Sequence, residues 1–188
     1  PQSAPGWFLR AAETGAHGVL VPHVTNAATT RELVQAIKYP PVGDRGLDPT
    51  TRSADYGALP VQEHMARTNK EIMAMVMIED LEAVEGLEEI LSVPGLDVIF
   101  IGPSDLSRAC GVAGQLSHQE VNEVVERIFK VAKQCPHIRI GIPAFQPAGV
   151  PALVKLGANM ITCPPVDTIF LVNSFKSALQ EIKSSYGA

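Results

Sequence analysis

An α/β fold built on a parallel sheet is the class this sequence predicts, and three observations predict it. Five short apolar runs, at 18–24, 72–78, 96–101, 138–145 and 159–163, recur without clean alternation of polar residues. Strands covered on both faces read this way. Segments with helical periodicity lie between the runs. Gly also closes the segment before two of them, in Glu13-Thr14-Gly15-Ala16 and Lys155-Leu156-Gly157-Ala158, where a left-handed residue commonly ends a helix.

The elements follow in order. After the first run, Leu33, Val34 and Ile37 form a short helical stripe that stops before Tyr39-Pro40-Pro41, because proline cannot continue a helix. The stretch 40–59 is rich in Gly, Pro, Asp, Thr and Arg. Long irregular segments inside a domain are often functional, so it is expected to be an active-site loop. The run 72–78 leads to Asp80, a helix-capping candidate, and to the stripe Val84, Leu87, Ile90, Leu91. Beyond 96–101, Val121, Val124, Val125, Ile128, Phe129 and Ala132 follow the i, i+3, i+4, i+7, i+8 pattern of one buried helix face. Ile169, Phe170, Val172, Phe175, Leu179 and Ile182 mark a closing helix. Repeated βα units of this kind fit an open doubly wound sheet or a closed eight-stranded barrel equally. A single domain over residues 1–188 is expected.

Composition excludes several function classes. The net charge is -5 and no basic stripe is present, so a nucleic-acid partner is not expected. No apolar stretch approaches the roughly 20 residues of a membrane span. Cys110, Cys135 and Cys163 are odd in number and unclustered, which argues against a disulfide framework or structural zinc and fits a reducing cytoplasm. The chain opens Pro1-Gln2-Ser3 without a charged-then-apolar leader, so no signal peptide is expected and the start reads as mid-protein.

In parallel α/β folds the strand C-termini face the ligand site, so polar residues directly after each run come first. Glu79 follows Met75-Val76-Met77-Ile78, and Asp105 follows Phe100-Ile101-Gly102-Pro103-Ser104. Two carboxylates at neighbouring strand ends outline a site for a hard cation such as Mg²⁺ or Mn²⁺, with positions left open for water and a chelating 2-oxo acid. Taken alone, the same pair reads more simply as a strand-terminal Glu and an Asp capping a short helix at 106–110. The turn 102–106 leaves backbone N–H groups free at a helix start for an anion. Of the five histidines only His23 falls at a strand end. A rim His is more often a structural hydrogen-bonding residue, so His23 is not among those expected to carry the chemistry. No nucleophile elbow, phosphate-binding loop or HExxH helix occurs, and Lys70 lacks the surroundings of a Schiff-base lysine.

Four segments in register, 15–22 (GAHGVLVP), 39–46 (YPPVGDRG), Ile78-Glu79 and 100–107 (FIGPSDLS), followed by Val166-Asp167-Thr168, make the chain resemble the HpcH/HpaI aldolase family over nearly its whole length. The resemblance implies a (β/α)8 TIM barrel of which about three βα units, on the order of 60 to 80 residues, precede this chain. It implies a lyase, a class II aldolase that cleaves a 4-hydroxy-2-oxo acid to pyruvate and an aldehyde, or runs the reverse addition. Its metal, Mg²⁺ or Mn²⁺ or alternatively Co²⁺, would be held by Glu79 and Asp105 and would stabilise the pyruvate enolate.

Ser104 matches the family's substrate-contact position, and its amide and that of Asp105 would hold the pyruvate carboxylate. Glu13 matches an acid that orients a catalytic His, which like a transition-state Arg would lie upstream. Met77 departs from the substrate-contacting Gln usual there, and a thioether cannot donate the amide's hydrogen bond. The loop 47–56 also departs from the family's Gly-rich sequence. Oligomers, up to hexamers through exchanged last helices, are a further implication. Two competing readings are kept: a related lyase of acyl-CoA or citryl-type esters, which would need a nucleotide-sized groove, and a non-catalytic homologue with a binding or assembly role.

Overall fold

The computed structural model describes residues 4–162 and 166–186. Each apolar run becomes a strand: β1 (Gly18–Val21), β2 (Met73–Ile78), β3 (Val98–Ile101), β4 (Arg139–Pro143) and β5 (Met160–Thr162). Cys163, the last residue of the fifth run, lies outside the described residues. All neighbouring strands are parallel, and the sheet order β1-β2-β3-β4-β5 is the order along the chain. A doubly wound sheet reverses direction at a switch point. This sheet does not, and its winding is that of a barrel wall, giving five strands of a half-barrel.

The helices are α1 (Pro5–Glu13), α2 (Ala27–Ile37), α3 (Val61–Glu71), α4 (Leu81–Glu85), α5 (Leu87–Leu91), α6 (Pro103–Ala109), α7 (Gln119–Ala132), α8 (Val150–Leu156) and α9 (Asp167–Ser185). The stripe at 84–91 is divided between α4 and α5 at Gly86. In α7, Val121, Ile128, Phe129 and Ala132 are buried as the periodicity predicts. Gly15 (φ 82°) and Gly157 (φ 111°) end α1 and α8 in the left-handed region, where a side chain would be strained.

Residues at period two divide the sheet into two faces. Ala74, Val76, Ile78, Ile99, Ile101, Ile140 and Ile142 join one core with Leu33, Ile37, Leu87, Ile90, Leu106 and Ile128 from the helices. Burial of each large aliphatic side chain in that layer stabilises the fold by about 1.5–3 kcal/mol. Met73, Met75, Met77 and Phe100 alternate with them, on the other face. That alternation of Met with Ala, Val and Ile in β2 is a period-two signal readable in the sequence, and it continues to Glu79.

The long loop after α2, expected to be an active-site loop, joins α2 to α3. Arg45 of this loop bonds Glu13, which ends α1 shortly before β1 begins, so within this chain the loop lies towards the strand N-termini, whereas Glu79 and Asp105 follow strand C-termini. The loop is therefore on the rim opposite the two acids. There it encloses Arg45, whose side chain is fully buried. Arg45 donates from Nε and Nη2 to Glu13 Oε1 at 3.1 and 2.8 Å, from Nη2 to Ser53 Oγ at 2.8 Å and from Nη1 to the Ile37 carbonyl at 3.2 Å. Its guanidinium also stacks over Tyr39, 4.9 Å from the ring centre.

Tyr39 in turn shares a 3.0 Å hydrogen bond with His64 Nε2 of α3. Acidification is expected to loosen this corner. His64 is buried, and burial first, then the charges of Arg45 and Arg67, hold its imidazole below the ordinary histidine range, while Glu13 acts in the opposite direction. The folded protein thus takes up a proton less readily than the unfolded chain. The stabilisation is fully present above the unfolded value of about 6.5 and is lost as pH falls through the lower folded value. Thermal unfolding followed from about pH 7.5 down to about pH 5 should show a drop in Tm that a His64→Gln variant reduces by about 2–4 °C. Equal slopes in the two proteins would rule out His64 as the titrating group.

Candidate active site

Glu79 extends β2 by one residue and continues the face of Met73, Met75 and Met77, yet it is only 3% exposed. A buried carboxylate needs partners. The His23 backbone N–H donates to Glu79 Oε1 at 2.8 Å. His23 takes a left-handed backbone (φ 52°) directly after β1, a conformation that costs a non-glycine residue free energy and is found where a site requires it. On the β3 side, the Gly102 backbone N–H donates to the Ile78 carbonyl at 3.1 Å. A Cβ at Gly102 would fall 2.7 Å from Glu79 Oε2 and 3.4 Å from Met77 Sδ. Gly102 is the cradle that Glu79 lies in, and Met77 borders the same space.

Asp105 is in the first turn of α6, which begins at Pro103, three residues earlier than the helix read from sequence. Proline suits a first helical position because its missing N–H would have no helical partner. Asp105 does not cap the helix with its side chain. Its Oδ1 accepts from Arg108 Nε at 3.1 Å. Ser104, on the same turn, is exposed, and its carbonyl accepts from the Ser107 hydroxyl at 2.6 Å.

Asp80 was expected to cap the next helix through its carboxylate. It stands at the N-cap position but forms no side-chain cap bond. Its Oδ2 lies 3.0 Å from His23 Nδ1, and its Oδ1 lies 3.5 Å from an Arg108 Nη2. Charged partners outcompete a neutral amide for a carboxylate. The hydrogen bond with Asp80, followed by the charge of Glu79, raises the His23 pKa above the ordinary value, with desolvation opposing. His23, Asp80 and Arg108 thus join the ends of β1, β2 and β3 around the two acids. Sequence reading left Arg108 out, placed His23 at a strand end as a structural hydrogen-bonding residue, and read Asp80 as a helix cap. Signals existed in their placement after Val21, after Ile78 and three residues beyond Asp105.

Glu13 is the sequence-predicted site residue that the structure does not bring to the pair. It ends α1 at the opposite rim, and its Oε2 accepts from Ser53 Oγ at 3.0 Å while Arg45 holds its Oε1. The Glu79 and Asp105 donors fit a hard divalent cation: each carboxylate has one oxygen held by protein N–H groups, and the donor set is all oxygen. Among the described residues no group of three or more His, Cys, Asp or Glu is arranged to hold a metal. Two protein ligands, with water and substrate filling an octahedron, is a usual condition for Mg²⁺.

A parallel half-barrel with paired carboxylates on its C-terminal rim is a barrel-type α/β protein with the polar site where such folds carry chemistry. The sequence profile of the HpcH/HpaI aldolase/citrate lyase family matches residues 2–162, and the chain belongs to that family. It is 34% identical over 173 residues to a 2-keto-3-deoxy-L-rhamnonate aldolase of Klebsiella pneumoniae, a match covering 92% of this chain and 63% of that protein. The chain therefore spans less than two thirds of the length of the curated relatives it matches. Among solved structures, an HpcH/HpaI aldolase from Desulfitobacterium hafniense DCB-2 superposes with a TM-score of 0.89 at 32% identity, over 97% of this chain and 70% of that one. A HpcH/HpaI aldolase/citrate lyase family protein from Burkholderia cenocepacia J2315 follows at TM-score 0.86 and 27% identity, over 97% and 71% of the two chains.

Proposed function

We propose that this chain carries the metal-binding half of an aldehyde-lyase site that cleaves a 4-hydroxy-2-oxo acid to pyruvate and an aldehyde, or joins them. The observation that carries the reading is the pair Glu79 and Asp105 at the ends of adjacent strands in a member of an aldolase family. The substrate named for the Klebsiella relative, a 2-keto-3-deoxy sugar acid, belongs to the proposed substrate class. In cleavage the C3–C4 bond breaks, the C4 hydroxyl gives up its proton as C4 becomes the aldehyde, and C3 keeps the electron pair and is later protonated.

A divalent cation, Mg²⁺ or Mn²⁺ or else Co²⁺, would supply Lewis-acid polarisation of the 2-oxo group. Glu79 and Asp105 would hold it. Ser104, exposed beside Asp105, would contact the substrate, and Met77 would line the pocket beside Gly102 with an apolar surface. We further propose that the five strands belong to an eight-stranded barrel, with a proton-accepting His and a transition-state Arg on its other βα units. Glu13 is proposed to reach such a His only in a full assembly, since within the chain Arg45 and Ser53 take its carboxylate.

A homo-oligomeric state is supported by α9, where Ile169, Phe170, Leu171, Phe175, Leu179 and Ile182 are all more than half exposed. No described helix is long and apolar enough to cross a membrane, and a cytoplasmic location is part of the proposal. The purified full-length protein is expected to release pyruvate from a panel of 4-hydroxy-2-oxo acids. Exhaustive chelation should abolish the release, and Mg²⁺ or Mn²⁺ should restore it. Cleavage that persists after chelation would exclude the metal-dependent mechanism.

A further inference from the structure

The charges around Glu79 and Asp105 are arranged as a connected chain. From His23 the backbone N–H reaches Glu79 and the ring Nδ1 reaches Asp80 Oδ2. The other oxygen of Asp80 faces Arg108 at 3.5 Å, and Arg108 donates from Nε to Asp105 Oδ1 at 3.1 Å. Arg108 therefore stands between two carboxylates, only one of which is read as a metal ligand. Its side chain is 57% exposed, so it is free to shift between the two without unpacking a core.

We propose that Arg108 is a built-in counter-ion of the metal site: it neutralises Asp105 when the cation is absent and passes to Asp80 when the cation binds, thereby setting metal affinity. A guanidinium and a divalent ion compete for the same carboxylate lone pairs, and like charges at close range repel. Asp80 makes the exchange possible by offering a second acceptor, and His23 fixes that acceptor through its other oxygen. Arg108 is a positioning residue in this scheme and touches neither substrate nor the breaking bond.

The inference rests on the reading of Glu79 and Asp105 as metal ligands, and the test separates the two. Mn²⁺ binding to the metal-stripped full-length protein is measured by isothermal titration and by the electron paramagnetic resonance signal of free Mn²⁺. Repulsion between a unit charge and a divalent ion about 6 Å apart, at the dielectric constant of water, corresponds to about tenfold in a binding constant. Arg108→Ala is therefore expected to lower the Mn²⁺ Kd about tenfold, and Arg108→Lys, which keeps the charge, to stay within about threefold of the parent. A Kd that is unchanged or higher in Arg108→Ala, while Glu79→Ala abolishes binding, overturns the counter-ion role and leaves the metal site standing. Equal binding in the parent and Glu79→Ala, or none in either, overturns the site itself and the inference with it.

Discussion

Glu79→Gln is expected to lower kcat/KM for 4-hydroxy-2-oxo acid cleavage by at least about a thousandfold, with the fold retained. Charge stabilisation through a bound cation supplies several kcal/mol to a transition state of this kind, and each 1.36 kcal/mol is about tenfold in rate. An amide in place of Glu79 keeps shape and one acceptor for the His23 N–H, but it removes the charge that would hold the cation. Glu79 is 3% exposed, so an isosteric change is the informative one, because a truncation would also leave a void. Gly102→Ala reaches the same end by crowding: the added methyl would lie 2.7 Å from Glu79 Oε2, on a backbone tied to Ile78, so the carboxylate has to move. Steady-state pyruvate release, read beside circular dichroism, checks both. Glu79→Gln with parental kcat/KM would remove Glu79 from the mechanism.

The strands were legible because both faces of this sheet are covered, which turns each strand into an apolar run bounded by Gly, Pro or charge. The same logic located Glu79 and Asp105, since a polar residue directly after such a run falls at a strand end. Barrel against doubly wound sheet was not legible, because strand order depends on which strands pair and not on any one strand's residues. The place of the loop at 40–59 within the chain was not legible for a related reason. Its composition says that it is irregular, but its rim within this chain follows from the contact of Arg45 with the end of α1. The network of His23, Asp80 and Arg108 comes from three separate strand ends, with His23 and Asp80 57 positions apart. Periodicity carries no information about a contact of that range. Asp80 in particular obeys the local rule for a helix cap, and tertiary ion pairs overrode it.

Glu13→Ala is expected to destabilise the fold by about 3–5 kcal/mol. Arg45 is held in a pocket with no exposure of its side chain, and among the described residues Glu13 is the only carboxylate it bonds. Removing that partner leaves a buried guanidinium with two neutral hydrogen-bond acceptors among the described residues, the Ser53 hydroxyl and the Ile37 carbonyl, and the face of the Tyr39 ring. A stranded buried charge costs far more than the original pair contributed. At about 2–4 °C per kcal/mol for a chain of this size, Tm should fall by about 10 °C. Glu13→Gln keeps an acceptor toward Arg45 and Ser53 without the charge, so its loss should be smaller. Urea titration and thermal unfolding of both variants, each set against kcat measured well below its own Tm, separate two roles. An acid that serves only to orient a catalytic His would leave Tm in place and lower kcat in both variants. The geometry of Arg45 predicts the reverse ranking for stability, with Glu13→Ala falling furthest, because what Glu13 holds within this chain is a charge that has nowhere else to go.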